Sequence, residues 1–151
     1  MKSYKYFLAA DAELVCKCGK CDGGEMDDAF MEKVIAIREV VGPLTVVSGF
    51  RCPAHNSIES STGRDGPHTT GRSLDLRAAH SSARFAIMEE AMNQGMTRFG
   101  INRTSIHVDD LGAEEGFAEG VLWHHLNNNA REPSQGTLQR PLSHRYAARF
   151  G

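Results

Sequence analysis

The chain has 151 residues, 40% of them hydrophobic and 24% charged, with a formal net charge of −2 at pH 7. That length fits one domain with a sizeable core, and the composition excludes wholesale disorder; no apolar run approaches the roughly 20 residues that cross a bilayer. The near-neutral total also excludes a surface that grips nucleic acid all over, so a monomer without a nucleic-acid partner is expected.

At the N-terminus, the apolar stretch 6–10 is too short for a secretory signal, and Asp11 and Glu13 follow it at once. Synthesis in the cytoplasm without an export signal of its own is the expectation. Cys16, Cys18 and Cys21 then fall in a C-x-C-x-x-C run among glycines and lysines, with Cys52 downstream. Three states remain open for the four cysteines: a second, structural metal site, a disulfide, or free thiols.

Apolar residues at helical spacing (Phe30, Met31, Val34, Ile35, Ile37, Val41) predict a helix over 28–41, capped by Asp27 or Asp28 and stopped at Gly42-Pro43. Leu44 to Val47 reads as a buried strand, and Pro53 opens a short helix to about Ser60. Residues 60–72 are rich in Ser, Thr, Gly and Pro and form a loop. Arg72 to Ala78 alternates as a strand, with Ser73, Asp75 and Arg77 on one face. Ser81 or Ser82 caps a second long helix carrying Phe85, Met88, Ala91 and Met92, which Gly95 closes. The strand region 99–108 runs on to Asp109, with His107 and Asp109 on one face, and Val121 to Trp123 is a last short strand. Helices and separated strands in this order predict an α+β fold with a small, mainly antiparallel sheet flanked by helices. The domain is expected over 1–127. The extension 128–151 is basic: from Arg131 onward it carries four arginines and one acid, a net of +3 that leaves −5 for the rest.

His68, Asp75 and His107 are the candidate metal ligands. Gly71 lets the chain turn sharply between the first two, and Asp75 and His107 sit on polar strand faces that can meet in a cleft. Two imidazoles and a carboxylate, with water as fourth ligand, make the open tetrahedral site of a catalytic zinc. Taken singly, each is equally a satisfied polar side chain.

The run SGFRCPAHN (48–56), then HTTGRSLD (68–75), SIHVD (105–109) and Trp123, resembles the zinc D-Ala-D-Ala carboxypeptidase family. This family has the hedgehog/DD-peptidase fold and includes vancomycin-resistance peptidases and phage endolysins. The resemblance covers about residues 13–124. It implies Zn2+ on His68, Asp75 and His107, with Arg51 holding a substrate carboxylate or polarising the scissile carbonyl, a task for which its rigid fork of donors is suited. It implies a peptidoglycan peptide as substrate, and Ser48 and Trp123 as further substrate-binding residues; Trp123, with His124 and His125, lines the cleft mouth or else belongs to the core. His55 and His80 are expected at the surface or in caps.

Three positions depart from the family pattern. Gly66 stands where serine is frequent, Ser73 where alanine is, and Thr104 where an Asp or Glu general base is found three residues before the last histidine. Asp109 is the nearest carboxylate, either as catalytic base or as the partner that orients His107. The expected function is a zinc metallopeptidase acting on peptidoglycan stem peptides, as a carboxypeptidase or as an endolysin released to the wall like a phage or prophage lysin. The alternative is a non-catalytic zinc-containing binding module of the same fold, which Thr104 favours. A zinc-ribbon nucleic-acid binder built on the cysteines is disfavoured by the acidic body.

Overall fold

A computed structural model describes residues 2–8, 12–125 and 140–141. Its elements are helices α1 (Asp28–Val41), α2 (Pro53–Glu59) and α3 (Ser81–Asn93), and strands β1 (Val46–Ser48), β2 (Ser73–Arg77), β3 (Arg98–Asn102), β4 (Ser105–Asp109), β5 (Val121–His125) and β6 (Arg140–Pro141). The six strands form one sheet in the order β1-β2-β4-β3-β5-β6, antiparallel except for the β3–β5 pair. The fold is α+β, as the sequence pattern predicts. Most of the extension lies outside the described residues, as does any boundary near residue 127; its Arg140–Pro141 segment adds an edge strand to β5.

The period-2 alternation of the strands gives the sheet two chemically different faces. Leu74, Leu76, Phe99, Ile106 and Val108 face the helices and join Phe30, Met31, Val34 and Ile37 of α1 in one buried core. Helix α1 begins where predicted because the Asp27 side chain accepts from the Phe30 amide at 2.8 Å, and it ends at Gly42, whose φ is 93°. The other sheet face carries Ser73, Asp75, Arg98, Gly100, His107, Asp109 and Trp123, and this polar face is where the site lies.

Four sequence expectations shift. The β1 ladder pairs Val46 and Ser48 rather than starting at Leu44, because a bulge between them sets the register with β2. The region 99–108 is two strands, folded over at Arg103 and Thr104, where Asn102 Nδ2 donates to Ser105 Oγ at 3.1 Å. Helix α3 is capped by His80, whose Nδ1 accepts from the Ala83 amide, instead of by a serine. Phe85 is exposed, since two residues from the buried Ile87 is about 200° round a helix.

Ser73, at the head of β2, is fully buried, and its hydroxyl has no hydrogen-bond partner among the described residues. A buried hydroxyl left unpaired costs about 1–3 kcal/mol. Ser73→Ala is therefore expected to raise stability by about 1 kcal/mol, read as a melting temperature higher by roughly 2–4 °C.

Candidate metal centre

Pairing of β2 with β4 sets Asp75 directly opposite His107. His68 arrives from a 3-10 turn over Pro67–Thr70, ended by Gly71 in the left-handed conformation (φ 73°). A side chain at Gly71 would also meet the Glu25 carbonyl at 2.8 Å, so glycine alone lets the chain turn into β2 here. One donor atom from each of His68, Asp75 and His107 lies within 4.8 Å of the others. His107 Nδ1 is 3.0 Å from Asp75 Oδ1, and His68 Nε2 is 3.4 Å from Asp75 Oδ2. Tetrahedral zinc with N and O ligands at about 2.0–2.1 Å has ligand–ligand edges of about 3.3 Å. The spacing and the donor set both fit zinc.

The outward nitrogen of each histidine is engaged. His68 Nδ1 donates to the Gly49 carbonyl at 2.7 Å, and His107 Nε2 donates to Asp109 Oδ2 at 2.7 Å. These bonds select the tautomers that aim His68 Nε2 and His107 Nδ1 at a shared ion. Asp109 itself is fully buried: its other oxygen accepts from Arg98 Nε at 2.8 Å and from the Leu111 amide at 3.2 Å. Of the two roles left open for Asp109, this geometry favours the partner that orients His107: both its oxygens are engaged, and it is not among the residues lining the cavity. Arg98 was missed from the sequence; nothing in an isolated arginine at a strand start signals a buried partner for an aspartate eleven residues on. Asp109→Asn is expected to weaken zinc binding by about 10–100-fold, measured by competition with a chelator.

Burial by itself would lower the His107 pKa, but hydrogen bonds to Asp109 and Asp75 outweigh it and raise the value to about 9. Burial would likewise raise the Asp75 pKa, yet His68 and His107 hold this carboxyl well below the usual range. Without metal, His107 therefore carries a proton on its ligand nitrogen until about pH 9. Zinc has to displace that proton, so its affinity is expected to rise by about tenfold per pH unit between about pH 7 and 9, checked by calorimetric titration.

The centre opens into a cavity of about 550 Å³, lined among others by Arg51, Glu59, Arg103, Thr104, Phe117 and Trp123. Arg51 Nη2 stands 3.7 Å from Asp75 Oδ2. Ser48 does not line this cavity; its hydroxyl accepts from Arg51 Nε at 3.2 Å and Nη2 at 2.9 Å, so it holds the arginine rather than facing a substrate. Asn56, another residue missed from the sequence, is buried and accepts from Arg51 Nη1 at 3.3 Å, while its amide donates to Thr62 Oγ1 and to the Gly63 carbonyl. This explains Gly66: a side chain there would come within 2.1 Å of Thr62 Oγ1 and 2.6 Å of Asn56 Nδ2.

Trp123 is buried on the polar sheet face as part of the cavity wall rather than in the helix-side core, with its ring centroid 5.2 Å from that of His107. It lies across Gly100, where a side chain would meet the indole at 2.6 Å. His124 alternates to the opposite face of β5, and His125 ends the strand. Thr104 sits exposed at the β3–β4 turn. Glu59 and Asp75 are the two carboxylates on the cavity wall among the described residues. Glu59 escaped the sequence reading because a glutamate ending a seven-residue helix carries no signal of its own. His55 is not a plain surface residue: its Nε2 lies 3.7 Å from Glu59 Oε1 and its Nδ1 3.3 Å from Cys16 Sγ. The four cysteines gather in a second, separate group.

A family model described as Peptidase M15 matches residues 7–109. No curated protein and no solved structure matches the chain.

Proposed function

Taking as premise that this chain belongs to the peptidase M15 family, whose members are zinc-dependent peptidases, we propose that it hydrolyses peptidoglycan stem peptides. The observation that carries this reading is the convergence of His68, Asp75 and His107 at the base of an open cavity, with Arg51 beside them. Zinc bound there would supply a water acidic enough to act as hydroxide near pH 7 and a Lewis acid for the scissile carbonyl. The chain's own residues do the rest. Asp109, held by Arg98, keeps His107 in the ligating tautomer. Arg51, fixed by Ser48 and Asn56, offers its remaining hydrogen-bonding capacity to the developing oxyanion or to the substrate's terminal carboxylate. Glu59 takes the proton from the attacking water and returns it to the leaving amine. Arg103 on the cavity wall adds positive charge that favours an anionic peptide.

Purified protein with zinc and a muramyl pentapeptide is expected to release D-Ala if it is a carboxypeptidase, or to cut an internal bond such as L-Ala–D-Glu if it is an endolysin-type endopeptidase. With zinc bound and neither bond cut, the second reading stands instead: a zinc-containing module that binds cell-wall peptide without hydrolysis. Thr104, where an acid is frequent in the family, is the observation that favours that alternative.

A further inference from the structure

We propose that Cys16, Cys18, Cys21 and Cys52 hold a second, structural zinc ion that fastens the N-terminal segment to the corner bearing Arg51. The four sulfurs come from two segments far apart in sequence, yet all lie within 4.8 Å of one another. Cys18 Sγ is 3.5 Å from Cys21 Sγ and 3.8 Å from Cys52 Sγ. Tetrahedral zinc with Zn–S bonds of about 2.3 Å has sulfur–sulfur edges of about 3.8 Å, so the cluster already has the size of the ion. None of the four is in a disulfide.

The backbone around the sulfurs fits thiolates. The amides of Lys20, Gly23 and His55 point at Cys18, Cys21 and Cys52 at 3.3, 3.4 and 3.4 Å. Such N–H groups stabilise negative sulfur, and they are the donors a turn between metal-binding cysteines leaves free. Gly19, in the left-handed conformation at φ 67°, makes the turn from Cys18 to Cys21. Four sulfur donors would fill a tetrahedral ion's coordination, a closed structural site unlike the three-ligand cavity centre, with His55 Nδ1 beside Cys16 Sγ at 3.3 Å.

Its consequence for the cavity follows from position. Cys52 follows Arg51 directly and caps α2. The Phe50 amide donates to the Leu14 carbonyl at 3.0 Å, and Gly49 packs so closely on Leu14 that a side chain would meet its carbonyl at 2.8 Å. An ion at the cysteines therefore ties residues 12–24 to the turn that aims Arg51.

The test counts metal and reads its neighbours. Full-length protein refolded or purified with zinc is expected to hold two ions per chain, and Asp75→Asn, which disables the cavity centre, to hold one. X-ray absorption on zinc-loaded Asp75→Asn is expected to give a shell of four sulfurs at about 2.3 Å. Cys18→Ser/Cys21→Ser is expected to keep only the cavity ion, one per chain. An Asp75→Asn protein that binds no zinc, or whose ion has only nitrogen and oxygen neighbours, overturns the proposal without bearing on peptide hydrolysis. So does recovery of Cys18 in a disulfide from zinc-loaded protein.

Discussion

Glu59→Gln is expected to lower kcat by about 10²–10⁴-fold while leaving the zinc content unchanged. Elimination over the carboxylates near the centre singles it out. Asp109 is sealed between His107 and Arg98, and Asp75 is spent as a ligand. Thr104 cannot accept a proton at neutral pH. Glu59 remains, on the cavity wall and partly open to water. Glutamine keeps the side chain's size but cannot take up the proton, so the loss should fall on kcat with KM little changed. Wild-type rates in Glu59→Gln would mean that no carboxylate lining the cavity among the described residues serves as base. Zinc content and KM are the readouts that separate a base from a residue that merely braces α2, because a structural loss would lower metal occupancy or raise KM as well.

The sheet was legible because its alternation is strict. Leu74, Leu76, Ile106 and Val108 announce one buried face, and that forces Asp75, His107 and Asp109 onto the other. The convergence of His68 with that face was legible through Gly71, since no other residue tolerates both the left-handed turn and the close approach to Glu25. What stayed hidden is whatever depends on side chains reaching across the fold. Asp109 and Arg98 share a buried bond that neither residue's neighbours in sequence indicate. Asn56 looked like a polar residue on a short helix, yet it anchors Arg51 and the 60–66 loop together. Gly66 reads as a departure from a family pattern until its space is seen to be filled by Thr62 and Asn56. Phe85 shows the converse: helical spacing identified the helix but was ambiguous about which residues of its broad apolar set turn inward.

Arg51→Lys is expected to lower kcat/KM by about 10²–10³-fold, the loss that follows removal of one well-placed donor to an oxyanion. Charge is retained in this variant, so the loss reports geometry. The guanidinium is held at three points, by Ser48 through Nε and Nη2 and by Asn56 through Nη1, with Nη2 still 3.7 Å from Asp75. Lysine has one nitrogen and cannot satisfy Ser48, Asn56 and a substrate oxygen together. The two tasks open to Arg51 separate on a pair of substrates, one ending in a carboxylate and the other in its amide. If Arg51 grips the terminal carboxylate, wild type prefers the acid strongly and Arg51→Lys loses much of that preference, chiefly through KM. If Arg51 stabilises the carbonyl oxygen instead, both substrates fall by the same factor and the loss is in kcat. The first outcome is the one a carboxypeptidase gives and the second the one an endopeptidase gives, so the ratio of the two losses also distinguishes which bond of the peptide the centre cuts.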